Sequence, residues 1–332
     1  MTSDAAMPRR PFAVVIGASA GGVNAVLALA RALPRDFPAV LCLVVHIGPN
    51  PSVLPELLQE RGSLPARHAR DGARAVPGVI HVAPPDHHLL LEGEVLRVVR
   101  GPKENHACPA IDPLFRSAAL HWRERAIGVV LSGQLDDGAA GLAAIKSCGG
   151  RAVVQDPGDA AEPGMPRAAL AAVEADAVVA LDGLARVLLD LVGHEPAIAG
   201  KPAASLALEQ AFQLGTPDMS AMAAIGKASN LTCPECGGVV WEMGDAPPRW
   251  RCHTGHAFSA ATMASVQLEA AENLLWAGVR ALRERAQLLR RMAAMVGGGA
   301  DSGQEAAAML EHARTVDRKA AAITALLEEG GA

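Results

Sequence analysis

Over the first 195 residues, short apolar runs alternate with stretches of helical spacing, and this alternation limits the fold more than any other feature of the chain. Residues 12–16, Phe-Ala-Val-Val-Ile, are β-branched and apolar and run directly into Gly17-Ala-Ser-Ala-Gly-Gly22. Helical spacing follows through Val23, Val26, Leu27, Ala30 and Leu33 and stops before Pro34. Residues 39–46 read as a second strand. Residues 51–61 read as a helix with Pro at its entry, where the missing N–H is not needed. Further strands are expected at 79–83, 127–131, 152–155 and 177–181, with a hairpin of 89–91 and 95–99 around Glu92-Gly-Glu94. Helices are expected at 137–148, closed by Gly149-Gly150, around 166–173, and up to Val192. Strands that are apolar throughout are covered on both faces. The expected fold class is therefore α/β, a doubly wound, mainly parallel sheet over residues 11–195.

That architecture gives three polar side chains a shared address. In an open parallel sheet, ligands bind at the carboxyl ends of the strands. Gly17-Ala-Ser19-Ala-Gly21 fits G-x-S-x-G between a strand and a helix, where a tight elbow presents a hydroxyl and the helix N-terminus offers unpaired N–H groups. A glycine-rich turn binding phosphate is the plainer reading, but Ser at position 19 breaks the dinucleotide fingerprint G-x-G-x-x-G. A serine hydroxyl needs a base, and among eleven histidines His46 stands at the end of an apolar strand run. After residues 127–131 the chain continues Ser-Gly-Gln-Leu-Asp-Asp-Gly138, placing Asp136 and Asp137 at the same edge. Asp137 there can accept Nδ1–H of His46, or cap the helix that follows. The order Ser, His, Asp differs from the Ser, Asp/Glu, His of ordinary α/β-hydrolases.

These segments resemble the CheB methylesterase family of bacterial chemotaxis. The resemblance rests on Ile16-Gly-Ala-Ser-Ala-Gly-Gly22, Val44-Val-His46 and Val130-Leu-Ser-Gly-Gln-Leu-Asp-Asp-Gly-Ala-Ala-Gly-Leu142. Asp71-Gly, Val79-Ile-His-Val-Ala-Pro84, His106-Ala-Cys-Pro-Ala-Ile-Asp-Pro-Leu-Phe115 and Gly164-Met-Pro-Arg167 extend it over about residues 11–193. It implies a triad of Ser19, His46 and Asp137, since Asp136 stands where the family often has Asn. It also implies oxyanion or substrate contacts from Ala20 and Gln134. The implied reaction is hydrolysis of γ-glutamyl methyl esters on receptors, with glutamine deamidation as a side activity and no cofactor for catalysis. Family members usually carry an N-terminal phosphorylatable receiver domain. Here the catalytic region starts about ten residues in, so phosphorylation control of that kind is expected to be absent from this chain.

The remainder reads as an addition. Residues 196–230 are expected to be a linker, opening with a stretch rich in Pro, Ala and Gly. Residues 231–258 hold Cys233-Pro-Glu-Cys236 and, after fifteen intervening residues, Cys252-His-Thr-Gly-His256. Two thiolates on one knuckle facing a second pair across a hairpin suit structural Zn²⁺ held by Cys233, Cys236, Cys252 and His256 in a small zinc ribbon. A reduced C-x-x-C without metal is the plainer reading. Trp241 and Trp250 are the expected ribbon core. Residues 259–329 read as an α-helical tail, a hairpin with an apolar stripe of Leu268, Leu275, Val279, Leu282, Ala286, Leu289 and Met292. The stripe serves packing within the hairpin, self-association, or docking to a partner.

A net charge of −5 argues against nucleic-acid binding through a broad basic surface. Glycines, prolines and charges break every apolar run short of the ~18–20 residues a membrane span needs, so no membrane insertion is expected. With no secretory signal pattern, a cytoplasmic location follows. Two functional classes remain: an esterase acting on a methylated receptor or other signalling protein, and a non-catalytic regulatory module of the same fold that binds a partner through its C-terminal region.

Overall fold

The structure, a computed structural model, describes residues 10–47, 50–196, 200, 202, 204–215, 219–243, 248–296 and 302–329. The chain divides into two compact units, Met1–Met263 and Ala264–Ala332.

In the first unit the strands are β1 (Ala13–Ala18), β2 (Val40–Val45), β3 (Ala66–His68), β4 (Ile80–Val82), β5 (His88–Glu92), β6 (Val95–Val99), β7 (Ala126–Val130), β8 (Arg151–Gln155) and β9 (Ala177–Val179). The helices between them are α1 (Gly22–Ala32), α2 (Leu54–Arg61), α3 (Ile111–Trp122), α4 (Ala139–Ser147), α5 (Gly164–Ala172) and α6 (Leu184–Gly193). Seven strands form one parallel sheet in the order β3-β4-β2-β1-β7-β8-β9, while β5 and β6 pair separately as an antiparallel hairpin. The apolar strands are buried on both faces, as their composition requires. Val14, Ile16, Leu41 and Leu43 join the α1, α2 and α6 side of the core. Ala13, Val15, Val40, Cys42 and Val44 join the side built from α3, α4, α5 and the hairpin.

Chain order places the switch at β1. From β1 the chain proceeds to β2 and that edge, then returns to lay β7 against the other side of β1. The carboxyl ends of β1, β2 and β7 are thus neighbours, and a crevice opens where strand order reverses.

Helix α2 begins at Leu54 with Pro55 in its first turn, rather than at residue 51. The 196–230 stretch also departs from a plain linker. It contains α7 (Ala204–Gln213), α8 (Met219–Ile225) and the start of β10 (Gly226–Thr232). Helix α7 forms because Leu206 and Phe212 find buried positions, and its Glu209 is fully enclosed by arginines. Strand β10 begins a four-stranded antiparallel sheet with β11 (Val239–Met243), β12 (Arg249–Cys252) and β13 (Ala257–Ser259). This ribbon belongs to the same compact unit as the parallel sheet. Its core is Cys233, Val240, Cys252, Phe258 and Met263 with Trp250 packed against them, so Phe258 and Val240 fill the place expected of Trp241.

Helix α9 (Ala260–Met295) starts at the ribbon and, with α10 (Ser302–Glu329), makes up the second unit. Within that unit Ala286 packs on Ala313 and Val316, flanked by Leu282 and Leu289. The stripe is buried only in part. Leu268, Leu275 and Met292 are exposed.

Candidate active site

Ser19 leaves β1 immediately after its last ladder residue. Its N–H donates to Ser132 O at 2.9 Å, and its carbonyl accepts from Gly22 N at 2.8 Å, closing the elbow. Gly21 occupies the left-handed region with φ 74°, and a Cβ there would lie 2.7 Å from Ser132 Oγ. Gly133 admits no side chain either, because its Cβ would sit 2.1 Å from Met165 Sδ and 2.9 Å from Ser19 Cβ. The elbow therefore depends on a second turn, after β7, which approaches it closely.

The three side chains form one hydrogen-bonded chain. His46 follows β2, and its N–H donates to Ala18 O at 3.1 Å, fixing it beside the elbow. His46 Nδ1 lies 3.2 Å from Ser19 Oγ, and Nε2 lies 2.9 Å from Asp137 Oδ2. The ring is therefore reversed from the expected arrangement in which Nδ1 faces the acid. Nε2 carries the proton toward Asp137, which leaves Nδ1 free to accept the hydroxyl proton. Ser19 and His46 are partly exposed, while Asp137 is buried.

Asp137 is held by five donors. Oδ2 accepts from His46 and from Ile111 N at 2.7 Å; Oδ1 accepts from Asp112 N at 3.2 Å, Gly138 N at 3.0 Å and Asn105 Nδ2 at 3.0 Å. Burial alone raises its pKa. The hydrogen bond and charge of His46, then Ile111 N–H and the Asn105 amide, outweigh burial and hold the carboxyl below its ordinary range. Asp137 is not the cap of α4, whose N-cap is Gly138 with φ 92°; its carboxylate points back at α3 and His46 instead. Asp112, also buried, is raised by burial and by the Asp137 charge. Its oxygens accept from Gly141 N at 2.7 Å and Asn105 Nδ2 at 3.1 Å.

Ala20 and Gln134 are both exposed beside the elbow and the β7 turn. Sequence reasoning missed Ser132, Gln155 and Asn105. Ser132 Oγ donates to Ala20 O at 2.7 Å and accepts from Glu162 N at 2.9 Å, tying the two turns together. Gln155 Oε1 receives Ser132 N–H at 3.0 Å. For Ser132 and Gln155 the only sequence signal is position, at or just beyond a strand's carboxyl end.

Farther along the first unit, ligand atoms of Cys233, Cys236, Cys252 and His256 lie within 4.8 Å of one another, a cluster that can hold a metal ion. Cys236 Sγ to Cys252 Sγ is 3.8 Å, and His256 Nδ1 is 3.4 Å from Cys252 Sγ and 3.7 Å from Cys233 Sγ. A tetrahedron of zinc–thiolate bonds has edges of roughly 3.8 Å, so the donor set fits that ion.

The fold and this geometry define a doubly wound α/β protein with a hydroxyl–imidazole–carboxylate chain at its switch point. The CheB methylesterase family model matches residues 14–188, and the chain belongs to that family. It is 41% identical over 184 residues to a Burkholderia pseudomallei protein named "Protein-glutamate methylesterase/protein-glutamine glutaminase 2", covering 55% of this chain and 54% of that one. A Leptospira interrogans relative is 37% identical over 181 residues, which is 54% of this chain and 94% of its own length. The crystal structure of the Thermotoga maritima CheB methylesterase catalytic domain superposes with a TM-score of 0.54 at 31% identity, covering 55% of this chain and all of that domain. The chain spans about half the length of the Burkholderia relative it matches.

Proposed function

We propose that this protein hydrolyses methyl esters of glutamyl side chains on a signalling protein, with Ser19 as nucleophile, His46 as base and Asp137 as orienting acid. The observation that carries this reading is the unbroken chain Ser19 Oγ–His46 Nδ1–Nε2–Asp137 Oδ2 at the switch point of a CheB-family sheet. Ser19 Oγ attacks the ester carbonyl while its proton passes to His46 Nδ1. The imidazolium is stabilised by Asp137, and the tetrahedral intermediate collapses when His46 returns the proton to the leaving methoxide. Methanol departs, leaving an acyl-serine. Water, activated by the same imidazole, releases the glutamate carboxylate and restores the hydroxyl. Backbone N–H groups at Ala20 and Gln134 are the proposed oxyanion donors. A glutamine side chain enters the same sequence with ammonia as leaving group.

Structural zinc at Cys233, Cys236, Cys252 and His256 completes the proposal. A closed four-ligand site offers folding energy to the ribbon and no open position for substrate. No described helix is long and apolar enough to cross a membrane, which suits cytoplasmic action on a methylated receptor domain. The exposed Leu274, Leu275 and Trp276 on α9 support docking or self-association through the tail.

Methanol release from a glutamyl methyl-ester protein, compared between wild type and Ser19→Ala, tests the assignment. Equal rates in both remove Ser19 as the nucleophile, and an inert wild type favours a binding module. Purified protein free of zinc with its C-terminal half folded rules out the metal.

A further inference from the structure

The ribbon ends on the two residues beside Asp137, Asn105 and Asp136. Strand β13 starts immediately after His256, and the Cys252–His256 turn is closed by Cys252 N–H donating to His256 O at 2.8 Å. Beyond it, β13 runs alongside residues 103–105. Ala257 N–H donates to Lys103 O at 3.2 Å, and Asn105 N–H donates to Ala257 O at 2.8 Å. Ser259 N–H donates to Asn105 Oδ1 at 3.0 Å. Asn105 sits in the left-handed region at φ 49°, a conformation Asn tolerates better than most residues, which turns its amide inward. Its Nδ2 then divides between Asp137 Oδ1 and Asp112 Oδ2. The end of β13 and the first turn of α9 also grip Asp136, because Ser259 Oγ and Thr262 Oγ1 both donate to its Oδ1, at 2.7 and 3.2 Å.

A second connection fixes the ribbon from behind. Arg251 of β12, beside the ligand Cys252, is buried and donates to Glu104 and Glu209 at 2.9 Å each. Glu104 also accepts from Arg116 of α3, and it precedes Asn105 in the chain. Two routes from the Cys252–His256 turn thus converge on residues 104–105, and a parallel one runs from Arg251 through Glu209 to Arg116 of α3.

We propose that Asn105 is a positioning residue for Asp137, and that β13, ordered by metal at the Cys233, Cys236, Cys252 and His256 cluster, holds Asn105 in place. Metal occupancy and alignment of the acid are then linked. Among the described residues, the amide is the one side-chain donor besides His46 that reaches Asp137, and it separates two buried carboxylates whose charges repel. With β13 released, Asn105 loses the acceptor at Ala257 and the donor at Ser259 that hold its backbone and side chain, and Asp137 keeps only backbone donors on Oδ1. The inference rests on the esterase reading for its kinetic consequence, but not for its structural one.

Two measurements on the full chain test it. Amide hydrogen exchange, with zinc bound and after chelation, is followed at Ile111 and Asp112, whose N–H groups bond Asp137. Stripping zinc raises exchange there at least tenfold while β1 stays protected. Unchanged protection at Ile111 and Asp112 in zinc-free protein overturns the link. Steady-state ester hydrolysis is then measured for Asn105→Ala, Asn105→Asp, Cys236→Ser and the Asn105→Ala/Cys236→Ser pair. Asn105→Asp keeps an acceptor for Ser259 N–H, so it retains zinc and the docked ribbon, yet it puts a third carboxylate where the donor was. Both Asn105 variants lose ten- to a hundredfold in kcat with KM within threefold. Cys236→Ser loses a similar amount, and the pair loses no more than about threefold beyond the worse single variant. Asn105→Asp at wild-type kcat, or losses that multiply in the pair, overturn the proposal. If wild type releases no methanol, or Ser19→Ala releases as much, the esterase reading has failed instead, and the exchange measurement still decides the link.

Discussion

Replacing Arg251 by Met probes how the ribbon is joined to the catalytic sheet. The guanidinium is 1% exposed and bridges Glu104 and Glu209; it also donates to Gly255 O at 2.9 Å. Met retains an apolar stem of similar length but leaves both buried carboxylates with less compensation. Removing one partner of a buried ion pair costs about 3–5 kcal/mol, because the remaining charge stays enclosed. Burial raises the pKa of Glu104, but the charges of Arg116 and Arg251 win and bring it from 4.5 down to about 2. Because the folded value lies below the unfolded one, this stabilisation is complete above about pH 4.5 and fades as pH falls toward about 2. Urea unfolding followed by Trp fluorescence in excess zinc is the assay. We expect Arg251→Met to lose about 3 kcal/mol at pH 7, or very roughly 6–12 °C in Tm, with the deficit shrinking as pH is lowered below 4.5. An Arg314→Met control, at an exposed pair with Glu311, should change by less than about 0.5 kcal/mol. Equal stabilities of Arg251→Met and wild type at pH 7, or a deficit that grows on acidification, would refute the reasoning.

Asp137→Asn should lower kcat by about 10³–10⁴ with little change in KM, since an amide no longer stabilises the imidazolium; ester kinetics check it, and a loss below tenfold contradicts the assignment. Gly133→Ala forces Met165 and Ser19 apart, so covalent labelling of Ser19 by a fluorophosphonate should slow by at least tenfold while the fold, read by circular dichroism, persists. Ala286→Asp places a charge against Ala313 and Val316, and should cost the α9–α10 hairpin about 3 kcal/mol or more; thermal melts that match wild type would contradict the packing.

Six strands of the parallel sheet were legible because they are mainly apolar, whereas β3, Ala-Arg-His at the edge, was not; Ser19, His46 and Asp137 were legible because each follows an apolar strand. The orientation of the His46 ring was not, since either nitrogen fits the same spacing. Asn105 carried no signal at all: it lies in a loop, and its role comes from a left-handed backbone and a strand of the distant ribbon. The ion cluster was hidden for a related reason. Glu104, Arg116, Glu209, Arg249 and Arg251 look like solvated charges wherever they occur in the chain, and only tertiary packing makes them a buried group. Helix α7 was obscured by the Pro- and Gly-rich residues beside it, which dominate a composition-based reading.

The strand order also has a temporal side. On the ribosome, β1 emerges first, yet Ala13 must await Ala126 before its second edge is paired. Ser19 N–H has no Ser132 carbonyl to meet until that strand has passed. The elbow is therefore assembled late, from contacts distant in sequence that form slowly and only once most of the sheet exists. Ser259, which bonds Asn105 beside Asp137, is translated later still. A nascent chain carries the hydroxyl from the start but lacks the turn that closes around it, so products truncated before β7 should be inert toward esters.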